Sequence, residues 1–335
     1  MKKWHYPFLA FLIIGTFIIL SENHNPEPGK SNGKASYRTA SGLVFGTSYH
    51  VTYLSDTDLQ QEIEDALAQV DNALSMFNPE STISKVNNAD SITVSDTMFL
   101  EIMRLSMQIS DMTGGAFDIT VAPAVNAWGF GFKESESMNQ SVIDSLKQII
   151  GYRKIHEKDG FITKDDSRIM LDCSAIAKGF GSDMAARALQ DNGVSDYMVE
   201  IGGEVVVSGR NPKGKLWNIG ISKPIDDSLS VNNEIDTILS ITDMAMATSG
   251  NYRNFYVKDG RKYAHTIDPH SCTPVSHNLL SATVLAPDCA TADALATSMM
   301  VMGLDSALAL CHRHPEIKVY LIYQDSDGQL KSAKN

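Results

Sequence analysis

The sequence is poor in the features that would assign it to a common class. Its four cysteines, Cys173, Cys272, Cys289 and Cys311, are scattered, with no CxxC pair and no histidine at ligand spacing. That argues against a zinc knuckle; in an exported chain a disulfide is possible, but the spacing selects none, and buried free thiols are the preferred expectation. Positive charge is scarce: 28 Lys and Arg against 40 Asp and Glu give a net charge of -12. A nucleic-acid partner and general adhesion to anionic lipid are excluded on that ground, since both want a basic surface. A phosphorylated ligand is not excluded, because helix N-termini or a metal ion can receive phosphate locally. There is no GxxxxGK[ST] loop, no GxGxxG after a strand, no GxSxG elbow and no HExxH. The glycines and lysine of "AKGFGSD" stand in the wrong order for a phosphate loop.

Long apolar runs are missing too. The N-terminal run Phe8–Leu20, "FLAFLIIGTFIIL", falls short of the roughly 20 residues of a spanning helix. Preceded by Lys2 and Lys3 and followed by polar sequence, it reads as a secretory signal or an N-terminal membrane anchor over residues 1–20. No clean small-x-small cleavage site follows it, and no cysteine nearby could take a lipid. Residues 21–36, rich in Pro, Gly, Asn and Ser, read as a flexible linker, and residues 37–335 as one globular domain. The expected location is therefore outside the cytoplasm, on the periplasmic side of an inner membrane, anchored or released.

What is present is ordinary globular sequence, 43% hydrophobic and 20% charged. Leu59, Ile63, Leu67, Val70 and Leu74 are spaced for a helix with Asp56 or Asp58 as its cap, and a second helix is expected from Asp96 to Thr113, stopped by Gly114 and Gly115. "SMNQSVIDSLKQIIG" and "AKGFGSDMAARALQDNG" read as further helices, and "YRKIHEKDGFITKDDSRIMLDC" as a hairpin with turns at Asp159-Gly160 and Asp165-Asp166. Strands are expected after Gly46 and around "YMVEIGGEVVVSG", "LWNIGIS", "ILSITDMAMATSG" and "NFYVKDGRKYAHTID", with "KVYLIYQ" as the closing strand. Strands and helices come in runs, which predicts an α+β fold with largely antiparallel sheets flanked by helices.

Four stretches interrupt apolar or glycine-rich sequence with polar residues. In "ATADALATSMM", Asp293 and Thr297 lie one helical turn apart on one face. They are either a dipole-favoured acid and a back-bonded hydroxyl, or two corners of an oxygen-ligand metal site. In "TGGAFDITVAPAVNAWGFG", Phe117 offers a stacking face and Asp118 an acceptor, or else they fill a core and cap a turn. In "LDCSAIAKGFGSD", Asp172 ends a strand and Lys178 opens a helix, a corner that can hold phosphate or metal, unless Asp172 and Ser174 merely cap it. In "YAHTIDPHSCTPV", His265 and Asp268 precede Pro269, and histidine is the side chain best suited to move protons near neutral pH. His270 and His277 read as surface histidines.

Taken together and in this order, "LVFGTSYHVTY", "GGAFDITVAP", "VNAWGFG", "LDCSAIAKGFGSD", "VEIGGEVVVSG", "ATSGNYRNF" and "HTIDPHSCTPV" strongly resemble the ApbE family of FAD:protein FMN transferases, over nearly the whole globular part. The resemblance implies an ApbE-like fold and Mg²⁺-dependent transfer of FMN from FAD to a threonine (or serine) of an exported acceptor protein, with release of AMP. It implies that Asp293, Thr297 and the carbonyl of Ala175 hold Mg²⁺, and that His265 is the general base. It places FAD near Phe45, Phe77, Ala116, Phe117, Asp118, Asp172, Lys178 and Ile267. Three positions depart from the family pattern: Ala296 where some members carry a second acid, Phe77 where some have tryptophan, and Lys178 where some have glutamate. The first predicts a lean metal site with few charges. The same site would also suit an FAD pyrophosphatase that yields free FMN and AMP. A flavin-carrying module without turnover is disfavoured, since the chain has no D-x-x-[ST]-G-A-[ST] acceptor segment of its own.

Overall fold

The computed structural model describes residues 35–131, 138–224, 234–251, 255–258 and 261–335, with only the main chain described for 255–258, 261 and 262. The expected signal or anchor over 1–20 and nearly all of the linker over 21–36 lie outside the described residues. Among the described residues no helix is long and apolar enough to cross a membrane.

Eight strands form the central sheet, in the spatial order Ser36–Val44, Thr47–Ser55, Tyr197–Ile201, Glu204–Ser208, Met244–Gly250, Leu279–Ala286, Lys318–Gln324 and Leu330–Lys334. Every neighbouring pair is antiparallel and the spatial order follows the chain order. The architecture is thus the α+β arrangement that the runs of strands and helices predict.

Both faces of the middle strands are covered, so they read as continuous apolar runs. Val199, Ile201, Val206 and Ala245 pack with Leu59, at the N-cap of the helix Gln60–Leu74, with Ile63 and Leu67 inside it, and with Ala185 and Leu189 of the helix Ala177–Asp191. Their neighbours Met198, Val205, Val207 and Met246 point the other way, onto Trp217, Ile219 and Ile221 of a two-stranded ribbon, Trp217–Ser222 with Ile235–Ile241. The helix Cys289–Met302 lies over the strands Met244–Gly250 and Leu279–Ala286 and has no solvent face to speak of. Its alanines, Met299 and Met300 are buried all round, which is why it shows no amphipathic stripe.

Most local expectations hold. Asp96 caps the helix Thr97–Met112, accepting from the N–H groups of Met98 and Phe99 at 3.0 and 3.1 Å. Asp58 accepts from Gln60 N–H at 3.0 Å at the start of the first helix. All four cysteines are buried and free. Two expectations need correction. The strand expected after Gly46 is present as Thr47–Ser55, but a strand that was not expected, Ser36–Val44, precedes it: Val44 pairs with Thr47 around a tight turn in which Phe45 (φ 51°) and Gly46 (φ 74°) are both left-handed. "KVYLIYQ" does not close the chain, because the largely exposed strand Leu330–Lys334 follows it; its polar residues carry no alternation to announce it.

The functional end of the molecule depends on how closely the helices Ala177–Asp191 and Cys289–Met302 approach. Asp183 of the first accepts the leading N–H groups of the second, from Cys289 and Ala290, at 2.8 and 2.9 Å. Burial pushes that carboxyl up to about 7, while the two N–H groups pull against it. At Gly179 the contact has no room for a side chain: a Cβ there would lie 2.3 Å from the Cys289 carbonyl oxygen and 2.8 Å from Asp293 Cβ. Gly179→Ala is expected to force the helices apart and lower stability by about 1–3 kcal/mol, measured by urea unfolding. A wild-type unfolding midpoint would show that the helices do not touch there.

Candidate active site

The strands Glu204–Ser208 and Met244–Gly250 are antiparallel neighbours, so the start of one and the end of the other meet at the same end of the sheet. Beside that end lies a cavity of about 510 Å³. Its walls come from Ala116–Ile119, the Asp172–Lys178 corner, the Gly202-Gly203 turn, the ribbon residues Gly220–Ser222, the loop His265–Ile267 and the helix Cys289–Met302. Eleven of the twelve residues singled out from the sequence reach it: Phe77, Ala116, Phe117, Asp118, Asp172, Ala175, Lys178, His265, Ile267, Asp293 and Thr297. Phe45 does not line the cavity. Its ring lies so close to Gly181 that a Cβ on that glycine would come within 2.4 Å of it, and this packing accompanies the left-handed turn.

Hydrogen bonds join the segments that sequence alone shows as separate motifs. The Asp172 N–H donates to Ile119 O at 2.7 Å, and Asn87 brackets Leu171 from both sides of its peptide. The Trp128 indole donates to Cys272 O at 2.8 Å. His270 bridges the Asp268 carboxylate and Gly114 O, at 3.1 and 3.0 Å, so this exposed histidine holds two loops together. His277 is not a surface histidine as its setting suggested: it is half-buried, with Nε2 on Met300 O at 2.8 Å.

The polar residues do different work within the cavity. Asp118 is buried and already engaged: one oxygen accepts from the Thr120 N–H and hydroxyl at 2.8 and 2.6 Å, the other from Tyr152 N–H at 2.7 Å. Burial raises its pKa and those three bonds oppose the rise. Asp172 accepts from Ser174 N–H at 2.7 Å and from its hydroxyl, which turns the chain into the helix carrying Lys178. The capping reading is therefore realised for Asp118 at the cavity wall itself, whereas Asp172 closes a local turn with Ser174 and does not cap the helix Ala177–Asp191, whose N-cap is Ile176.

The charged corner is deeper. Asp293, only 3% exposed, accepts from Gly179 N–H at 3.1 Å, and the Thr297 hydroxyl lies 3.0 Å from the Ser249 hydroxyl. Lys178 makes an ion pair with Glu204, whose side chain is 3% exposed and whose second oxygen, Oε2, is buried without a hydrogen-bond partner. Burial pushes the Asp293 carboxyl up while Lys178 and the Gly179 N–H pull it down. Burial pushes Glu204 up as well, helped by the Asp293 charge and opposed by Lys178. Burial works against the Lys178 ammonium, but the two carboxylates more than offset it and hold the group protonated.

Sequence reasoning did not single out Glu204 or Ser249. An acid directly after two glycines at the head of "EVVVS" was the available signal, because a strand buried on both faces rarely opens on a charge. Among the described residues no three His, Cys, Asp or Glu side chains gather at metal-binding range. A cation here would rely on hard oxygen donors of mixed type, a carboxylate, a hydroxyl and a carbonyl, which suits magnesium.

An antiparallel α+β frame with a deep cavity that sets buried carboxylates, a lysine and a histidine around one void defines an enzyme site. The model of the ApbE family matches residues 45–321, and the chain belongs to that family. A relative from Vibrio cholerae serotype O1 named FAD:protein FMN transferase is 36% identical over 299 residues, covering 86% of this chain and 88% of its own. One of the same name from Escherichia coli K12 is 30% identical over 331 residues, covering 95% and 92%. The solved structure of the flavin transferase ApbE from Vibrio cholerae superposes with a TM-score of 0.81 at 34% identity, over 90% of this chain and 97% of that one. The protein is accordingly a transferase.

Asp118→Ala is expected to lower stability by about 1–3 kcal/mol, since three donors lose their acceptor, with Asp118→Asn recovering the Thr120 bonds and part of the loss. Denaturant unfolding of both variants checks this; an unaffected Asp118→Ala would mean that the carboxylate does not hold the two loops.

Proposed function

We propose that the protein transfers the FMN half of FAD to a threonine (or serine) hydroxyl of an exported acceptor protein and releases AMP. The observation that carries the reading is the gathering of His265, Asp293, Thr297 and Lys178 around one cavity, in a chain whose relatives bear the name FAD:protein FMN transferase. Asp293, Thr297 and the Ala175 carbonyl are the proposed Mg²⁺ ligands. When bound there, Mg²⁺ supplies charge neutralisation for the pyrophosphate oxygens.

The acceptor hydroxyl forms a bond to the FMN phosphorus as the bond from that phosphorus to the bridging oxygen breaks, and the bridging electrons leave with AMP. A neutral hydroxyl is a poor nucleophile, so His265 takes its proton. Phe77, 84% exposed at the cavity rim, offers a flat apolar face to a flavin ring, and Ala116, Phe117 and Ile267 continue that wall inward. The basic, apolar N-terminal segment supports a place outside the cytoplasm, where it either anchors the chain to the inner membrane or is removed.

The assay is purified protein with FAD, Mg²⁺ and an acceptor domain bearing a threonine motif, read as covalent flavin fluorescence on a denaturing gel. Covalent labelling of the acceptor with stoichiometric AMP is expected; AMP with free FMN alone would make the protein a pyrophosphatase instead. His265→Ala is expected to retain FAD binding and to slow single-turnover transfer by roughly 10²–10⁴-fold. Unchanged transfer would remove His265 from the mechanism. Asp293→Ala is expected to abolish Mg²⁺-dependent transfer, and full activity at ordinary magnesium would sink the metal assignment.

A further inference from the structure

Lys178 is a hazard to the corner it helps to build. It adjoins Gly179, whose N–H is bonded to Asp293, and it lines the same cavity as Asp293 and Thr297. A flexible ammonium on that tether is within reach of the Asp293 carboxylate, and a lysine bonded there would hold the oxygen that a divalent cation needs. Among the described residues, however, the ion pair of Lys178 is with Glu204 and not with Asp293. Glu204 comes from a different element, the strand that follows the Gly202-Gly203 turn, and approaches the ammonium from the sheet side. Its carboxylate is almost wholly buried, and its Oε2 has no partner, a costly placement for an acid with a purely structural task.

We propose that Glu204 is a positioning residue that draws the Lys178 ammonium away from Asp293 and so keeps Asp293 open to a divalent cation. The proposal rests on the reading of Asp293 as a metal ligand. It changes the meaning of Ala296: the site has a second acid nearby, supplied by the sheet, and that acid acts on the lysine and not as a ligand. The pair also brings a net charge of zero, so the cation meets Asp293 without an uncompensated ammonium beside it.

The test is equilibrium binding of Mn²⁺, a spectroscopic stand-in for Mg²⁺, to the full chain without FAD, followed by the electron paramagnetic resonance signal of the free ion. Wild type is expected to bind and Asp293→Asn to lose binding. If these two behave alike, the metal reading fails and the proposal fails with it. Glu204→Gln, which frees the lysine, is expected to bind roughly 10–100-fold more weakly, the factor that one charge-assisted hydrogen bond represents. Lys178→Met with Glu204→Gln removes captor and captive together and is expected to return to within about twofold of wild type. A double variant as weak as Glu204→Gln would overturn the proposal and make Glu204 a ligand, and wild-type binding by Glu204→Gln would overturn it as well. Should Glu204→Gln fold poorly, the double variant decides alone, because it removes the ion pair as a unit and leaves Asp293 its bond from the Gly179 N–H: binding near that of wild type supports the proposal, and a tenfold or greater loss, by about the strength of one such bond, sinks it.

Discussion

The helices Ala177–Asp191 and Cys289–Met302 touch backbone to backbone at Gly179, and the cavity takes its shape from that contact. Because no side chain intervenes, the Gly179 N–H can reach the Asp293 carboxylate. Because Asp183 holds the first N–H groups of the second helix, that helix cannot slide along the first. Thr297, one turn beyond Asp293, then meets Ser249 at the end of a central strand. A helix made of Ala, Ser, Thr and Met is suited to this place, since bulkier side chains would hold it off both the sheet and its partner helix.

Electrostatics set the second constraint. Two almost wholly buried carboxylates share one corner with a lysine whose side chain is 27% exposed, and each carboxylate is tolerable through its neighbours. The arrangement resolves this by geometry: helix residues present Lys178 and Asp293, and the strand presents Glu204 from the sheet side. The corner thereby keeps a net negative charge and is still neutralised enough to remain buried. Around it, Asp118 commits both its oxygens to main-chain N–H groups and Asp172 one of its own, so the walls are tied down where the charges are. Phe77 at the rim is the opposite case, an apolar ring that is largely exposed.

Much of this was legible in the sequence because it is local. Asp96 as a cap, the 159–160 turn and the spacing of Leu59, Ile63 and Leu67 each follow from chemistry within a few residues. The resemblance to the ApbE family singled out eleven residues that the fold gathers around one void, although they spread from Phe77 to Thr297. Phe45 fell outside because its neighbourhood is decided by Gly181, far away in the chain. The strand Leu330–Lys334 escaped notice because pairing with Lys318–Gln324, and not its own polar sequence, makes it a strand.

By itself, the sequence determined the composition of the site: hard oxygen donors, one histidine in "HTIDP", one lysine at the start of a helix, and too little positive charge for nucleic acid; the strand expected to end at Asp172 stops at Lys164, and an irregular segment leads into that helix. It also determined the class of fold, through runs of apolar periodicity. Tertiary structure alone decided which charges face each other. Glu204 and Lys178 are 26 positions apart, and Gly179 and Asp293 are 114 apart. No local rule couples such residues; they meet because the sheet brings two strand ends together and two helices cross without side chains between them.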